Sequence, residues 1–397
     1  MKKISKVLMT LGFCLLGTIM IATSAITASA AEATMPATEE ATVLYSGACG
    51  TNLTWQIDDA GTLTIDGTGA METYSYGSAP WYAYRTHITK IIINNGITSI
   101  SSGAFNGCSS LKEMTLPFVG YSRYYSSPYG YKDLLFGYIF GTSSYTGATS
   151  TQQYYLDSSG ARMSIHYYIP SSLTKVTITY ASTIYYGAFS NCSNITELNL
   201  NSEIKTIEDY AFHGCTKMDT FSLPSALTFL GAYALNNCDA LLNVEIPSGV
   251  KAIASYTFSY CDKLTNVKFH SEITSIGNYA FAGCKSLENV DLPEQLTSIG
   301  SYAFADCASF TAIVIPDKVK TIDSFAFAGC SKVENVTVGK SVTTINGHAF
   351  SGLNKIEEIQ LPNSVTSIGS SAFSGCSSLK EMTLPFVGYS RYYSSPY

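Results

Sequence analysis

The chain has 397 residues, of which 13% are charged and 46% are hydrophobic, and its formal net charge is −6. An acidic chain is a poor partner for nucleic acid or for an anionic membrane surface, because both carry negative charge. Much of its polarity comes from uncharged side chains, among them 29 tyrosines, which is typical of a β-rich protein outside the cell.

The first 30 residues have the pattern of an export signal. Three lysines among the first six residues precede an apolar run over residues 7–22, and small residues typical of a cleavage site end the segment at Ala30. The run is short for a membrane-spanning helix, and the cleavage pattern follows it directly. We therefore predict a cleaved signal peptide over residues 1–30. The mature protein is expected to be secreted or held at the cell surface, without membrane insertion.

A small β module follows a spacer over residues 31–41. Apolar and polar residues alternate over residues 53–57 and again over residues 63–65, and Asp-Asp-Ala-Gly at residues 58–61 supplies a turn. This pattern predicts a β-hairpin. Because an array of repeats leaves its core open at its ends, we predict that residues 42–87 form a module that caps the repeats.

A 23-residue repeat dominates the rest of the chain. Its most regular mark is a cysteine, found at positions 192, 215, 238, 261, 284, 307, 330 and 376, with Leu353 filling the slot between the last two. A phenylalanine lies three positions before almost every slot, and an isoleucine or leucine lies eight positions before it. In the copy that begins at Ile276, the residues predicted to form the core are Ile276, Phe281, Cys284, Leu287, Val290 and Leu292.

One such unit is too small to bury six apolar side chains by itself, whereas stacked units bury them between neighbours. Each unit is expected to lay a short strand about 4.8 Å from the next in a parallel sheet and to turn at its Ala-Phe segment on the opposite side. The sequence therefore predicts a β-rich solenoid with minor helical content, a right-handed leucine-rich-repeat superhelix. The first repeat is predicted over residues 88–117 and the main array over residues 172–385.

A long insertion over residues 118–171 interrupts the array and contains eleven of the 29 tyrosines. Insertions in repeat proteins lie on one face and often bind partners, and tyrosine offers a large amphipathic contact area. The alternative is that these rings pack on the flank of the solenoid and protect it. The residues predicted to bind are Tyr121, Tyr124, Tyr125, Tyr129, Tyr131, Tyr138, Tyr154, Tyr155, Tyr167 and Tyr168. Within the insertion, residues 136–141 and 163–169 are expected to pair as a hairpin with residues 142–151 at its tip.

The end of the chain contains a long exact repeat of an earlier segment. Residues 375–397 are identical to residues 107–129, including turn and surface positions that a shared fold leaves free to vary. Recent duplication explains this identity better than structural constraint does. We expect residues 386–397 to begin a second insertion, and the chain to be a fragment of a longer protein.

The repeated cysteines allow two interpretations. Export favours disulfides, but stacked side chains run parallel and keep their Cβ atoms farther apart than the roughly 3.8 Å that a disulfide prefers. Leu353 fills the same slot with a purely apolar side chain, which leaves Cys330 and Cys376 two repeats apart. We therefore predict buried free thiols that act as small apolar residues.

The repeat pattern IxxxAFxxCxxLxxVxLP resembles that of the BspA-like (Treponema pallidum type) leucine-rich repeat proteins, and the resemblance covers nearly the whole mature chain. Residues 46–71 and 78–85 also resemble the N-terminal module of that family. The resemblance implies exported or surface-attached proteins, some of them associated with adhesion to host matrix proteins or to other bacteria. It supplies no catalytic residues.

No sequence pattern of catalytic chemistry accompanies the repeats. The five histidines are scattered, and the sequence contains neither HExxH nor CxxC nor GxSxG. Asp58, Asp59 and Asp66 fall at a hairpin, where turn formation explains aspartate better than calcium binding does. We predict a non-enzymatic protein with no catalytic residues, no metal site and no cofactor.

The leading hypothesis is an exported or cell-surface protein that mediates protein–protein interaction or adhesion, with a host matrix protein, another surface protein or a glycan as partner. Two alternatives stay open. The repeats are the targeting region of a longer secreted enzyme, or the Tyr-rich insertion is a carbohydrate-binding module. The solvent side of the predicted strands is acidic and lacks aromatic residues, so we expect a solvated surface there rather than a binding hot spot.

Overall fold

The structure, a computed structural model, describes residues 41–123, 131–288 and 290–386. They form a β-rich solenoid of about 12 turns with 23-residue spacing, which confirms the predicted fold class. Within this part of the chain, helical structure is limited to the 3-10 segments Tyr82–Tyr84, Tyr131–Leu134 and Phe136–Ile139. Over the same residues, no helix has the length and apolar character needed to cross a membrane.

The solenoid begins with a small antiparallel module. Its strands are β1 Val43–Gly50, β2 Leu53–Asp58, β3 Thr62–Gly67 and β4 Gly69–Ala70. Strands β2 and β3 are the predicted hairpin, and β1, which the sequence pattern did not predict, adds an outer strand to β2. The ring of Trp81 stacks on Phe105 at 5.7 Å, and its Nε1–H donates to the Ala104 carbonyl at 2.8 Å. The module thus covers the apolar end of the first repeat.

Each 23-residue turn of the solenoid is called a rung below and is named by the residue in its cysteine slot. The remaining strands are β5 Lys90–Ile93, β6 Ile97–Ser99, β7 Glu113–Leu116, β8 Ala148–Leu156, β9 Arg162–Pro170, β10 Lys175–Ile178, β11 Thr183–Ile184, β12 Glu197–Leu200, β13 Thr206–Ile207, β14 Thr220–Phe221, β15 Phe229–Leu230, β16 Asn243–Glu245, β17 Ala252–Ile253, β18 Asn266–Lys268, β19 Ser275–Ile276, β20 Ser298–Ile299, β21 Ala312–Val314, β22 Thr321–Ile322, β23 Asn335–Thr337, β24 Thr344–Ile345, β25 Glu358–Gln360, β26 Ser367–Ile368 and β27 Glu381–Thr383.

Two stacks of parallel strands run along the rungs. One joins β3 to β5, β7, β10, β12 and β14, and resumes as the pairs β16–β18, β21–β23 and β25–β27. The other joins β11, β13 and β15, and resumes as β17, β19, β20, β22, β24 and β26. Both stacks are interrupted next to the Cys238 rung, the first between β14 and β16 and the second between β15 and β17. The column of core phenylalanines is interrupted at this rung too, because Leu235 takes its phenylalanine position.

The core is a column of side chains repeated from rung to rung. The structure buries Ile276, Phe281, Cys284 and Leu287 of the Cys284 rung completely or almost completely. Val290 and Leu292 of the same rung are only half-buried and pack against the edge of that core. Neighbouring phenylalanines from Phe258 to Phe373 stack with their ring centroids 5.3–5.8 Å apart.

The described cysteines are free, and all are buried except the half-buried Cys376, which confirms the prediction of buried free thiols. The thiols also have a polar role that the sequence did not indicate. The Cys284 Sγ–H donates to the Phe258 carbonyl of the preceding rung at 3.1 Å, and six other cysteines make the equivalent bond. Cysteine therefore both fills the core and satisfies a buried carbonyl.

The insertion supplies a turn of the solenoid that the repeat pattern lacks between the Cys108 and Cys192 rungs. Its 3-10 segment places Phe140 next to Phe105, with ring centroids 6.5 Å apart, and Phe136 next to Phe189 at 4.8 Å. The N–H of Phe105 donates to the Ile139 carbonyl at 3.0 Å, and the N–H of Phe136 donates to the Ala188 carbonyl at 2.8 Å. Residues expected to project from the solenoid therefore continue its core.

The predicted pairing of residues 136–141 with residues 163–169 is wrong. The hairpin of the insertion pairs β8 with β9, and its turn lies at residues 157–161. There the Asp157 carboxylate accepts hydrogen bonds from the N–H groups of Ser159 and Ala161. The error has a physical reason: Phe136 and Phe140 fill the core column, which no strand of an exposed hairpin can do.

Candidate functional site

The structure separates the tyrosines predicted to bind. Tyr124, Tyr125 and Tyr129 lie outside the described residues, and Tyr131 begins a 3-10 segment. Tyr167 is only 3% exposed, and its hydroxyl donates to the Lys132 carbonyl at 3.1 Å. Burial raises the pKa of Tyr167, so this residue acts in packing, which was the alternative interpretation of the insertion.

The other predicted tyrosines keep some exposure. Tyr121 is 38% exposed, and its ring meets the edge of the half-exposed Tyr138 at 5.9 Å. On the hairpin, the register places Tyr154 and Tyr168 on the outer face, while Tyr155 shares the face of the buried Gln153. The predicted residues therefore form separate groups and not one cluster.

The most extended aromatic feature lies outside the insertion. One ring per rung stacks on the next, five positions before the cysteine slot, with ring centroids 4.3–4.5 Å apart and planes within 5–8° of parallel. All seven side chains are half-exposed. This aromatic ladder consists of Tyr210, Tyr233, Tyr256, Tyr279, Tyr302, Phe325 and His348.

The backbone beneath the ladder is left-handed. Its seven residues have φ between 57° and 61°, a conformation that costs a bulky residue roughly 1–2 kcal/mol. In the Cys108 and Cys192 rungs the same position is Gly103 or Gly187, which adopt it without that cost. An aromatic pair contributes about 0.5–1.5 kcal/mol beyond its buried area, and each inner ring makes two such pairs. Stacking therefore offsets the strain.

The hairpin of the insertion joins the ladder at its first ring. A Cβ on Gly187 would lie 2.0 Å from the Tyr154 carbonyl oxygen, so the glycine makes room for strand β8. The Tyr154 ring then meets Tyr210 at 5.9 Å, and Arg162 Nη1 donates to the Tyr210 hydroxyl at 2.9 Å. We define the aromatic strip as Tyr154 and the aromatic ladder. The buried Tyr186 packs beside the first ring of the ladder, 5.4 Å from Tyr210.

The stacking decides which part of each ring can meet a partner. The faces of the inner rings are covered by their neighbours, so their edges and hydroxyls are what remains for contact. Burial and the neighbouring tyrosines raise the pKa of Tyr233 and Tyr279, which keeps these hydroxyls protonated as donors. The ladder thus offers hydrogen-bonding ring edges, and it offers little open ring face for stacking on sugars.

The strand side of the solenoid has a different character. Its carboxylates are partly paired with lysines of neighbouring rungs, for example Glu197 with Lys175 at 2.8 Å and Glu357 with Lys380 at 2.8 Å. Exposed pairs of this kind stabilise the fold little, because water screens them. Among residues 41–123, 131–288 and 290–386, no three His, Cys, Asp or Glu side chains are grouped to hold a metal ion.

Sequence reasoning missed the ladder although its signal is periodic. A tyrosine precedes the Ala-Phe or equivalent pair in five consecutive rungs, from Tyr210 to Tyr302, and Phe325 and His348 continue the series. Tyrosine is most concentrated in the insertion, whereas the ladder position has only one ring per repeat. The rings stack because neighbouring rungs lie close together, and the sequence pattern had already predicted this close spacing of the rungs.

Comparison with known proteins gives one family and several similar folds. Residues 80–127, 182–311 and 297–388 match the BspA type leucine rich repeat region in six copies. No curated protein matches the chain. A leucine-rich repeat protein from Bacteroides ovatus is 19% identical with a TM-score of 0.51, and the alignment covers 84% of this chain and 87% of that one.

Two further solved structures are less similar in shape. A leucine rich cell surface protein from Faecalibacterium prausnitzii is 20% identical with a TM-score of 0.34, over 87% of this chain and 96% of that one. The T. pallidum leucine rich repeat protein is 23% identical with a TM-score of 0.36, over 52% of this chain and 88% of that one. Of these three structures, the Bacteroides ovatus protein is the one similar enough in shape to support the fold, and at 19% identity it supports the fold alone.

Proposed function

The chain belongs to the BspA-type leucine-rich repeat family, and from this premise we propose that it is an exported adhesion protein of the cell surface. It binds a host matrix protein or another surface protein and carries out no catalysis. Its family and fold are those of a repeat protein for protein interaction. A solenoid suits this role because its stacked rungs present a long, continuous surface.

The aromatic strip is the observation that carries the proposal. Tyrosine is enriched among the residues that dominate binding energy in protein interfaces. Here the stack already orders each ring between its neighbours in consecutive rungs. Binding then costs less conformational entropy than it would with freely rotating side chains. We assign the strip as the main contact surface, with the hairpin of the insertion at one end of it.

Export is the part of the proposal that rests on sequence. The pattern that ends at Ala30 supports cleavage of a signal peptide, and the mature chain then begins at Ala31. N-terminal sequencing of the protein recovered outside the cell tests this. An uncleaved leader, or recovery only from inside the cell, contradicts it.

The binding experiment compares the chain with a variant of the strip. Binding to immobilised matrix proteins and to a glycan array is measured for the wild type and for the double variant Tyr256→Gly, Tyr279→Gly. Glycine suits the left-handed backbone, as Gly103 and Gly187 show at the same position. We expect the variant to bind the recognised matrix protein at least about tenfold more weakly, since hot-spot residues contribute about 2 kcal/mol or more.

The matched control changes the strand side instead. Glu288→Gln with Asp291→Asn alters two exposed carboxylates and is expected to leave the affinity unchanged. The assignment of the strip as the contact surface is contradicted if the Tyr256→Gly, Tyr279→Gly variant binds with the same affinity as the wild type. Binding to glycans alone favours the alternative of a carbohydrate-binding module.

A further inference from the structure

The aromatic ladder has a fixed spacing, which limits the kind of chain that can lie along it. Neighbouring tyrosine rings are 4.3–4.5 Å apart, so two steps, from Tyr233 to Tyr279, span about 9 Å. Their planes stay within 5–8° of parallel, which keeps the row close to straight. A partner that follows the row therefore meets ring edges at a constant repeat.

The chemistry of the row is that of hydroxyl donors beside apolar ring edges. The five tyrosines from Tyr210 to Tyr302 present one hydroxyl per rung over about 18 Å. The residues that directly precede the last four of these rings are all small or uncharged: Ala232, Ser255, Asn278 and Ser301. A matching partner therefore offers backbone acceptors and apolar side chains, and it has no need of charge.

The regular conformations of a peptide differ in how well they fit this spacing. The polyproline II helix has three residues per turn and a rise of about 3.1 Å, so one of its faces recurs about every 9.3 Å. That repeat is close to two steps of the ladder. One face of a β-strand recurs about every 6.7 Å, and an α-helix has a pitch of about 5.4 Å. Neither repeat matches one step or two.

We infer that the aromatic strip, whose role as the contact surface is the proposed function, binds a proline-rich segment in the polyproline II conformation. This conformation has no internal hydrogen bonds, so its carbonyls are free to accept. Its carbonyls meet the hydroxyls of alternate rungs in one of two registers, Tyr233 with Tyr279 or Tyr256 with Tyr302. The proline rings pack on the ring edges between them.

Both surfaces are ordered before they meet. The stack holds the Tyr256 ring between the Tyr233 and Tyr279 rings, 4.3 and 4.5 Å away, and a proline-rich segment already has the conformation that it keeps when bound. Little conformational entropy is lost on binding as a result. Because neither surface depends on charge, the affinity is expected to be insensitive to salt.

The test measures peptide binding to the full chain by fluorescence polarisation. The probe is a labelled L-proline peptide about nine residues long, which makes roughly three turns. The control peptide alternates L- and D-proline, so it keeps the rings and carbonyls but cannot form the helix. We expect the L-proline peptide to bind at least about tenfold more tightly than the control, because only the helix places several contacts in register.

A double variant of the protein tests the hydroxyls without disturbing the stack. Tyr256→Phe with Tyr279→Phe removes one hydroxyl from each of the two registers and keeps every ring. It is expected to bind the L-proline peptide about fivefold more weakly, which corresponds to one lost hydrogen bond. The strand-side variant Glu288→Gln, Asp291→Asn is the matched control and should bind this peptide as the wild type does.

Equal affinities for the two peptides, or no binding of the L-proline peptide, overturn the inference about the partner. An L-proline peptide that binds the Tyr256→Gly, Tyr279→Gly variant as tightly as the wild type overturns it too. The proposed function survives these results if a matrix protein still binds the wild type and loses affinity with that glycine variant. It fails on its own evidence if the affinity for matrix proteins does not depend on these rings.

Discussion

Single residues in this protein carry conflicting local and long-range preferences. Each ring of the aromatic ladder sits on a left-handed backbone that it would avoid alone, and the stack across rungs stabilises it there. Each core cysteine combines apolar packing with a hydrogen bond to the preceding rung. In both cases the neighbouring rung, and not the local sequence, decides the conformation.

The balance between ring stacking and backbone strain is measurable at Tyr256. Tyr256→Phe keeps both stacks and is expected to change the free energy of unfolding little, as Phe325 occupies the same position naturally. Tyr256→Ala loses two stacks and keeps the left-handed strain, so we expect a loss of about 2–3 kcal/mol. Tyr256→Gly also loses both stacks, but glycine adopts a φ of 61° without strain. It should therefore cost about 1 kcal/mol less than Tyr256→Ala.

Urea unfolding measures all three variants. The ordering Phe, Gly, Ala from least to most destabilising supports the account. Equal losses for Gly and Ala would show that the left-handed backbone carries no strain at this position.

The buried thiols predict how stability depends on pH. Burial raises the pKa of Cys215 and of Cys261 from 9.0 to about 12. Below about pH 9 both folded and unfolded chains keep these protons, so the stability is fully present. Above pH 9 only the unfolded chain loses its thiol protons. The free energy of unfolding then falls by up to about 1.4 kcal/mol per pH unit for each thiol, until the pH reaches the thiol pKa of the folded chain.

The measurement is urea unfolding in reductant at pH 7, 8, 9 and 9.5. We expect constant stability to about pH 8 and a decline above it. The variant Cys215→Ala, Cys261→Ala is less stable at pH 7 but should decline less steeply. Parallel curves for the variant and the wild type would show that these thiols do not control the slope.

At the scale of elements, the insertion shows where sequence patterns predict structure and where they do not. The alternation of apolar residues predicted β2 and β3, and the 23-residue period predicted the repeat strands. The same kind of reasoning placed Phe136 in a hairpin, because a short apolar run looks alike in an exposed strand and in a core turn. The decisive contact, Phe136 on Phe189 at 4.8 Å, joins residues far apart in sequence.

A glycine pair tests how the hairpin is attached. Gly187 and Gly103 both have positive φ, but only Gly187 has a backbone atom, the Tyr154 carbonyl oxygen, where its Cβ would lie. Gly103→Ala is expected to cost about 1–2 kcal/mol from the left-handed backbone alone. Gly187→Ala should cost more than this and should push strand β8 away from the Cys192 rung.

Hydrogen exchange resolves the two effects by location. Faster exchange over β8 and β9 is expected in Gly187→Ala and not in Gly103→Ala. The same exchange pattern in both variants would mean that Gly187 does not position the hairpin.

At the scale of the whole molecule, repetition makes the fold predictable from the sequence, whereas the proposed contact surface is not evident from it. The regular spacing of Ile276, Phe281 and Cys284 is sufficient by itself to indicate stacked units. A binding surface has no such requirement for regularity in sequence. The insertion is conspicuous in the sequence because of its tyrosine content. The ladder forms only in the folded chain, where the rungs bring Tyr233, Tyr256 and other rings within 4.5 Å of each other.

The most direct test of the proposed contact surface is a hydrogen-exchange footprint of the chain bound to a matrix protein that the binding experiment captures. The aromatic strip as contact surface predicts slower exchange in the turns that carry Tyr210, Tyr233, Tyr256, Tyr279 and Tyr302, with unchanged exchange in strands β16, β18, β21 and β23. Protection confined to those strands, with the ladder turns unchanged, would contradict it.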